Sequence, residues 1–260
     1  MTLRRTVPER VFVRKPQCKQ TFGGHASPIA RRTYHPLVVA VARPAAPDFR
    51  LVSDRLRQDQ GPLGDKSRLP ILDELIATVL SQHTSDRNSE RAFESLRTRF
   101  GSWEEVAAAN DEAVADAIRS GGMADQKAPR IRHILATVEA REGEVDLSRL
   151  ETLDDGQVRE YLTSLPGVGP KTAACVLLFS MGRPAFPVDT HVHRVAGRLG
   201  WVPPRATATR AQELLEEQVP EEIRYSLHLS LVAHGRRVCQ ARRPRCEACI
   251  LRATCPRQGL

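Results

Sequence analysis

The chain has 260 residues, a formal net charge of +8, a sequence pI of about 9.6, and 41% hydrophobic but only 5% aromatic residues. That length and apolar content supply one large core or two small ones, which excludes disorder throughout; the apolar runs are too short and interrupted for a transmembrane helix, so no membrane partner is expected. The low aromatic share argues against a strand-rich sandwich or barrel, abundant Leu, Ala, Glu and Arg favour helices, and the positive charge points first to a polyanion such as nucleic acid.

Residues 1–47 stand apart. They carry Arg4, Arg5, Arg10, Arg14, Lys15, Lys19, Arg31, Arg32 and Arg43 against the single acid Glu9. Pro and Gly interrupt them and no helical period is sustained, so a disordered basic tail, or a segment upstream of the native start, is expected. No apolar h-region follows the N-terminus, so secretion is not expected and a reducing cytoplasm is.

From there the pattern is helices in series. Phe49, Val52 and Leu56 share one face; Ile71, Leu72, Leu75, Ile76, Val79 and Leu80 form a strong stripe opened by Pro70; Phe93, Leu96 and Phe100 continue it. Short helices are expected at 103–109 and 111–120. Longer ones are expected at 127–141, 155–164, 171–181, 190–199, 209–218 and 222–235. No strand pattern of any length occurs, so the fold class is all-α.

Between two of these helices lies Leu165-Pro166-Gly167-Val168-Gly169-Pro170-Lys171-Thr172-Ala173. Gly167 and Gly169 permit a tight turn, Val168 can point inward, and Pro170 suits a first helical turn. Such a hairpin turns backbone N–H groups toward a phosphate without reading bases. Lys171 follows at once, and Val188-Asp189-Thr190-His191 comes later. Asp189 can cap the next helix; an amine and a carboxylate near a hairpin of this kind also suggest chemistry on a sugar.

Four of the six cysteines are spaced Cys239-x6-Cys246-x2-Cys249-x5-Cys255. Four thiolates at this spacing can wrap one compact centre, zinc or an iron–sulfur cluster. The remaining two are Cys175, expected in the core, and Cys18 in the tail. Arg242, Arg243 and Arg245 lie between the first two ligands, where a closed loop would present them to phosphates.

These three motifs, with Leu80-Ser81-Gln82-His83-Thr84-Ser85-Asp86, closely resemble the endonuclease III family of helix–hairpin–helix DNA glycosylases over residues 47–257. The resemblance implies a bilobed fold: a six-helix barrel at about 67–162, and a second lobe of 48–66 with 163–260 carrying a [4Fe–4S] cluster on Cys239, Cys246, Cys249 and Cys255. It implies that Lys171 is the nucleophile and Asp189 its carboxylate partner. DNA contacts are expected from Gly167, Val168, Gly169, Thr172, His191, Arg242, Arg243 and Arg245. Gln82 and His83 would fill the gap left by a flipped base, and Met123 would be the second wedge. The implied partner is double-stranded DNA carrying a damaged pyrimidine or an abasic site, met at the nucleoid in the cytoplasm; with no coiled coil or obvious interface in the sequence, a monomer is expected. The sequence departs from the family pattern where His83 replaces a usual Gln, Ala124 a usual aromatic residue and His193 a common apolar one. The alternatives are a mismatch or adenine glycosylase of the same fold, a non-catalytic damage sensor, and a metal-containing DNA-binding regulator; Lys171 and Asp189 together argue against the last two.

Overall fold

The computed structural model describes residues 45–61 and 68–260. The expected basic tail therefore lies, up to residue 44, outside the described residues. Among these, eleven α-helices follow one another and no strand occurs: α1 (Phe49–Gln60), α2 (Ile71–Leu80), α3 (Asp86–Arg99), α4 (Trp103–Ala108), α5 (Asp111–Ile118), α6 (Ala124–Glu142), α7 (Asp155–Thr163), α8 (Pro170–Cys175), α9 (Thr190–Leu199), α10 (Ala208–Gln218) and α11 (Glu221–Arg237). No described helix is long and apolar enough to cross a membrane.

Helices begin where the sequence supplies a short side-chain oxygen. Asp48, Ser85, Ser102, Asn110, Asp154, Asp189 and Thr207 each accept a backbone N–H of the turn they open. Asp154 and Gln157 form a reciprocal capping box. Two stretches differ from the sequence expectation. α6 starts three residues before Lys127, because Met123 takes a left-handed conformation (φ 53°) and turns the chain into the helix. The single helix expected over 171–181 changes at Val176–Ser180 to π winding, which inserts a wider turn between α8 and the chain that follows.

The apolar stripes collect into two cores. The first takes α2 to α8 and runs on through Val176, Leu177, Leu178 and Ala185. The second joins Val52 and Leu56 of α1 to Phe186, Val195, Leu199, Leu215, Leu227, Leu231 and Leu251. Apolar packing thus changes partner at Ala185–Phe186, later in the chain than the boundary expected at 162/163. The reason is that the inner face of α8 is buried chiefly against α2 and α7, with α10 a smaller contact. Trp201 anchors the chain ahead of α1: its ring lies 4.5 Å from that of Phe49 and its Nε1 donates to Pro47 O at 2.7 Å. Arg224, buried on α11, donates to the carbonyls of Pro184, Glu216 and Val219, satisfying loop and helix-end acceptors beside the junction. Arg236 of α11 makes a two-pronged ion pair with Asp86 at the start of α3, linking helices of the two cores.

Candidate active site

The hairpin between α7 and α8 has the geometry its glycines allow. Gly167 adopts φ 74°, Val168 N–H donates back to Leu165 O at 3.2 Å, and Gly169 opens α8 with Pro170 in its first turn. Val168 and Thr172 are 5% and 4% exposed. Val168 points inward, as its place in the turn allows; Thr172, expected to meet DNA, is buried too, so only their backbone is left to meet a phosphate. A Cβ on Gly167 would come within 2.7 Å of the Arg130 side chain, so the glycine also lets that arginine lie across the turn.

Lys171 follows at the start of α8, half-buried. One turn on, the fully buried Cys175 thiol is pushed up by desolvation, and the Lys171 ammonium opposes this through its charge and a hydrogen bond. From α11, His228 reaches the same place. It is 5% exposed, its Nδ1–H donates to Pro187 O at 2.9 Å, and its ring stands edge-on to Phe179 and Phe186. Burial pushes its pKa down to about 4; the Asp189 carboxylate opposes that shift and the Lys171 charge reinforces it. Asp189 also acts on Cys175. Lys171 and Asp189 are thus within electrostatic reach of the same two buried side chains. Asp189 is itself fixed as the N-cap of α9, its Oδ1 accepting from Val192 N at 2.7 Å. His228 carried no signal in the sequence: it falls in a helix whose periodicity identifies a face but not the neighbour across it.

The two expected wedge segments stand on the first core. Gln82 is half-buried and its Oε1 accepts from Arg130 Nη1 at 2.9 Å. His83 and Met123 are both exposed and both left-handed, with φ 56° and 53°. Non-glycine residues rarely adopt that conformation. Ala124, in contrast, is 7% exposed within the first core. Arg130 was not singled out from the sequence; as one more cation on a polar helix face it looks solvated, and only the fold shows it spanning Gln82 and Gly167.

His191 lies where α9 crosses α11. Its Nδ1 is 3.0 Å from Arg194 Nη2, and Gly235 is the glycine that lets its Cβ approach. His193 Nε2 contacts Ala206 O at 2.8 Å. Arg194 and Arg198 then tie α9 to the cysteine segment. Arg194 Nε donates to Cys239 O at 2.9 Å; the buried Arg198 donates to Gln240 O at 2.8 Å, Ala241 O at 3.0 Å and Cys239 Sγ at 3.2 Å.

Cys239, Cys246, Cys249 and Cys255 line one cavity, closed by Val195, Leu199, His234, Val238 and Leu251. Burial holds the Cys249 and Cys255 thiols above their usual range, and the neighbouring cysteines add to it. Among the described residues no group of three or more His, Cys, Asp or Glu gathers as the ligands of a single ion would. Four thiols line the cavity, a donor set that fits a sulfur-ligated centre. Arg242, Arg243 and Arg245 are exposed on the loop between the first two cysteines.

Residues 76–221 match the family model of the HhH-GPD superfamily of base excision DNA repair proteins. Endonuclease III of Thermotoga maritima is 42% identical over 182 residues, 70% of this chain and 80% of that protein. A DNA glycosylase homologue of Arabidopsis thaliana is 38% identical over 174 residues, 67% of this chain but 59% of the longer plant protein. Among solved structures, a trapped covalent intermediate of endonuclease III with DNA superposes with a TM-score of 0.68 at 28% identity, covering 79% of this chain and 93% of that one. With the hairpin and the all-helical fold already in place, these matches establish that the chain belongs to the HhH-GPD superfamily of base excision DNA repair proteins and, within it, to the endonuclease III-type DNA glycosylases.

Proposed function

We propose that the chain is a bifunctional DNA glycosylase and AP lyase that removes oxidised pyrimidines from duplex DNA, acting as a monomer. The observation that carries this is the common neighbourhood of Lys171 and Asp189, both of which bear on buried Cys175 and His228. An enzyme that only hydrolysed the glycosidic bond would not need the amine.

In this mechanism the neutral amine of Lys171 attacks C1′ of an extruded nucleotide, the C1′–N bond breaks, and the base leaves with the bonding pair. Asp189 stabilises the positive charge that develops on the sugar through the carboxylate oxygen not committed to Val192 N–H. Loss of the proton from nitrogen opens the sugar ring to an imine between Nζ and C1′. Removal of a C2′ proton then expels the 3′ phosphate by β-elimination. The hairpin backbone and the arginines of the cysteine loop hold the flanking phosphates, a sequence-independent grip that weakens with salt. Cys239, Cys246, Cys249 and Cys255 would hold a [4Fe–4S] cluster, whose contribution is to keep that loop in shape.

Borohydride reduction of an enzyme–DNA imine tests the assignment. Native protein should be trapped on oligonucleotides carrying thymine glycol or an abasic site, and Lys171→Ala should not be; undiminished trapping of the variant refutes Lys171 as nucleophile. Substrates with G·T or A·G mismatches, included in the same assay, decide against a mismatch specificity if they are left uncut.

A further inference from the structure

α2 ends just ahead of the Gln82–His83 loop, and its last four carbonyls are all accounted for. Ala77 O accepts from Ser81 N at 2.9 Å, Thr78 O from Ser81 Oγ at 2.8 Å and Val79 O from Gln82 N at 3.2 Å. The last, Leu80 O, accepts at 2.7 Å from the ammonium of Lys127, which also donates to Gly121 O at 2.9 Å. Lys127 is 2% exposed. A buried ammonium is costly unless compensated. This one sits in the first turn of α6, where its own helix dipole opposes it, so its compensation comes from other segments: the negative end of α2 and the turn before α6.

Those two carbonyls flank the two wedge loops. Leu80 is three residues before His83, and Gly121 is two before Met123; the Lys127 backbone N–H meets Met123 O as well, at 2.9 Å. One amino acid therefore fastens both of the exposed, left-handed residues of this face to a single point in the core. Three residues along α6, Arg130 extends the same arrangement to Gln82 and to the hairpin at Gly167.

We propose that Lys127 is a positioning residue that makes the His83 loop and the Met123 loop one rigid probe, so that both side chains enter the duplex together as a nucleotide is extruded. This rests on the reading of those loops as facing DNA. Each loop alone is a short turn whose φ > 0 residue could relax; held at both carbonyls, neither can move without the other.

The test compares cleavage of an abasic site in a fully paired duplex with cleavage of the same site in a small bubble of unpaired bases, where little stacking has to be broken. Lys127→Met keeps the stem and removes the donors; Lys127→Arg keeps charge and donors. On the paired duplex Lys127→Met should lose activity on the order of 10- to 100-fold, the scale of a misplaced positioning element. In the bubble it should stay near native, and Lys127→Arg should recover most of the loss. A second arm leaves Lys127 intact: His83→Ala, Met123→Ala and the double variant should show strongly non-additive losses on the paired duplex. Equal losses of Lys127→Met on both substrates, an unchanged rate on the duplex, or additive losses of the two wedge variants would each overturn the proposal. Native protein that cut neither substrate would instead overturn the lyase reading on which it stands.

Discussion

Asp189 is asked to do two things, and the structure separates them by atom. Oδ1 accepts the Val192 N–H at 2.7 Å and caps α9, leaving the rest of the carboxylate for the sugar. Asn caps about as well as Asp, whereas Ala does not. Asp189→Ala should therefore cost about 1 kcal/mol, within a range of roughly 0.5–2; 1 kcal/mol is about 2–4 °C in melting temperature for a domain of this size. Asp189→Asn keeps the cap and loses only the favourable charge at the positive end of α9, about 0.3–1 kcal/mol. Its chemistry should suffer far more: base release slower by roughly a hundredfold or more, the usual cost of removing a group that stabilises developing charge, with duplex affinity largely kept. Thermal melting and single-turnover base release on both variants decide the matter. If Asp189→Asn released base at the native rate, or Asp189→Ala melted with the native protein, the division of labour drawn here would be wrong.

Three further outcomes are expected. Gly167→Ala forces a Cβ into the left-handed region and against Arg130. It should cost roughly 1–2 kcal/mol in a melt and weaken duplex binding by anisotropy, and an unchanged melt would show the turn to be more tolerant than its geometry implies. For His228 the folded pKa is about 4 against an ordinary 6.5; the unfolded chain binds the proton first, so stability is fully present above pH 6.5 and falls as pH drops from there to about 4. That share is on the order of 2–4 kcal/mol, and His228→Gln should flatten the melting-temperature profile across that window; a profile parallel to the native one speaks against the buried neutral imidazole. Cys249→Ser should abolish brown visible absorbance and lower non-specific DNA affinity through Arg242, Arg243 and Arg245, whereas a colourless native protein loaded with zinc would contradict the cluster assignment.

The fold class and most helices were legible because their signals are local. The stripe from Ile71 to Leu80 needs only a 3.6-residue period, and Asp189 marks a helix start by chemistry that acts over three residues. The hairpin was legible for the same reason. The burial of Thr172 was not: its side chain carries no mark of which way it faces until α7 and α8 are packed. His228, Arg130 and Lys127 escaped for a related cause. Each acts on residues more than 40 positions away, and a charged or imidazole side chain on an amphipathic helix reads as solvated until a distant carbonyl is brought to it. The change to π winding at Val176 likewise has no counterpart in composition.

The order in which the two cores draw on the chain has a bearing on its synthesis. Everything the first core needs has been made once Ala185 is complete, so that half can collapse while the ribosome is still at work. α1, although translated much earlier, must wait for Leu227, Leu231 and Leu251 before its apolar face is covered. A nascent chain stalled once Ala185 has cleared the ribosome, but before Leu227 has, should therefore protect α2 to α8 from protease while leaving the α1 segment open to cutting.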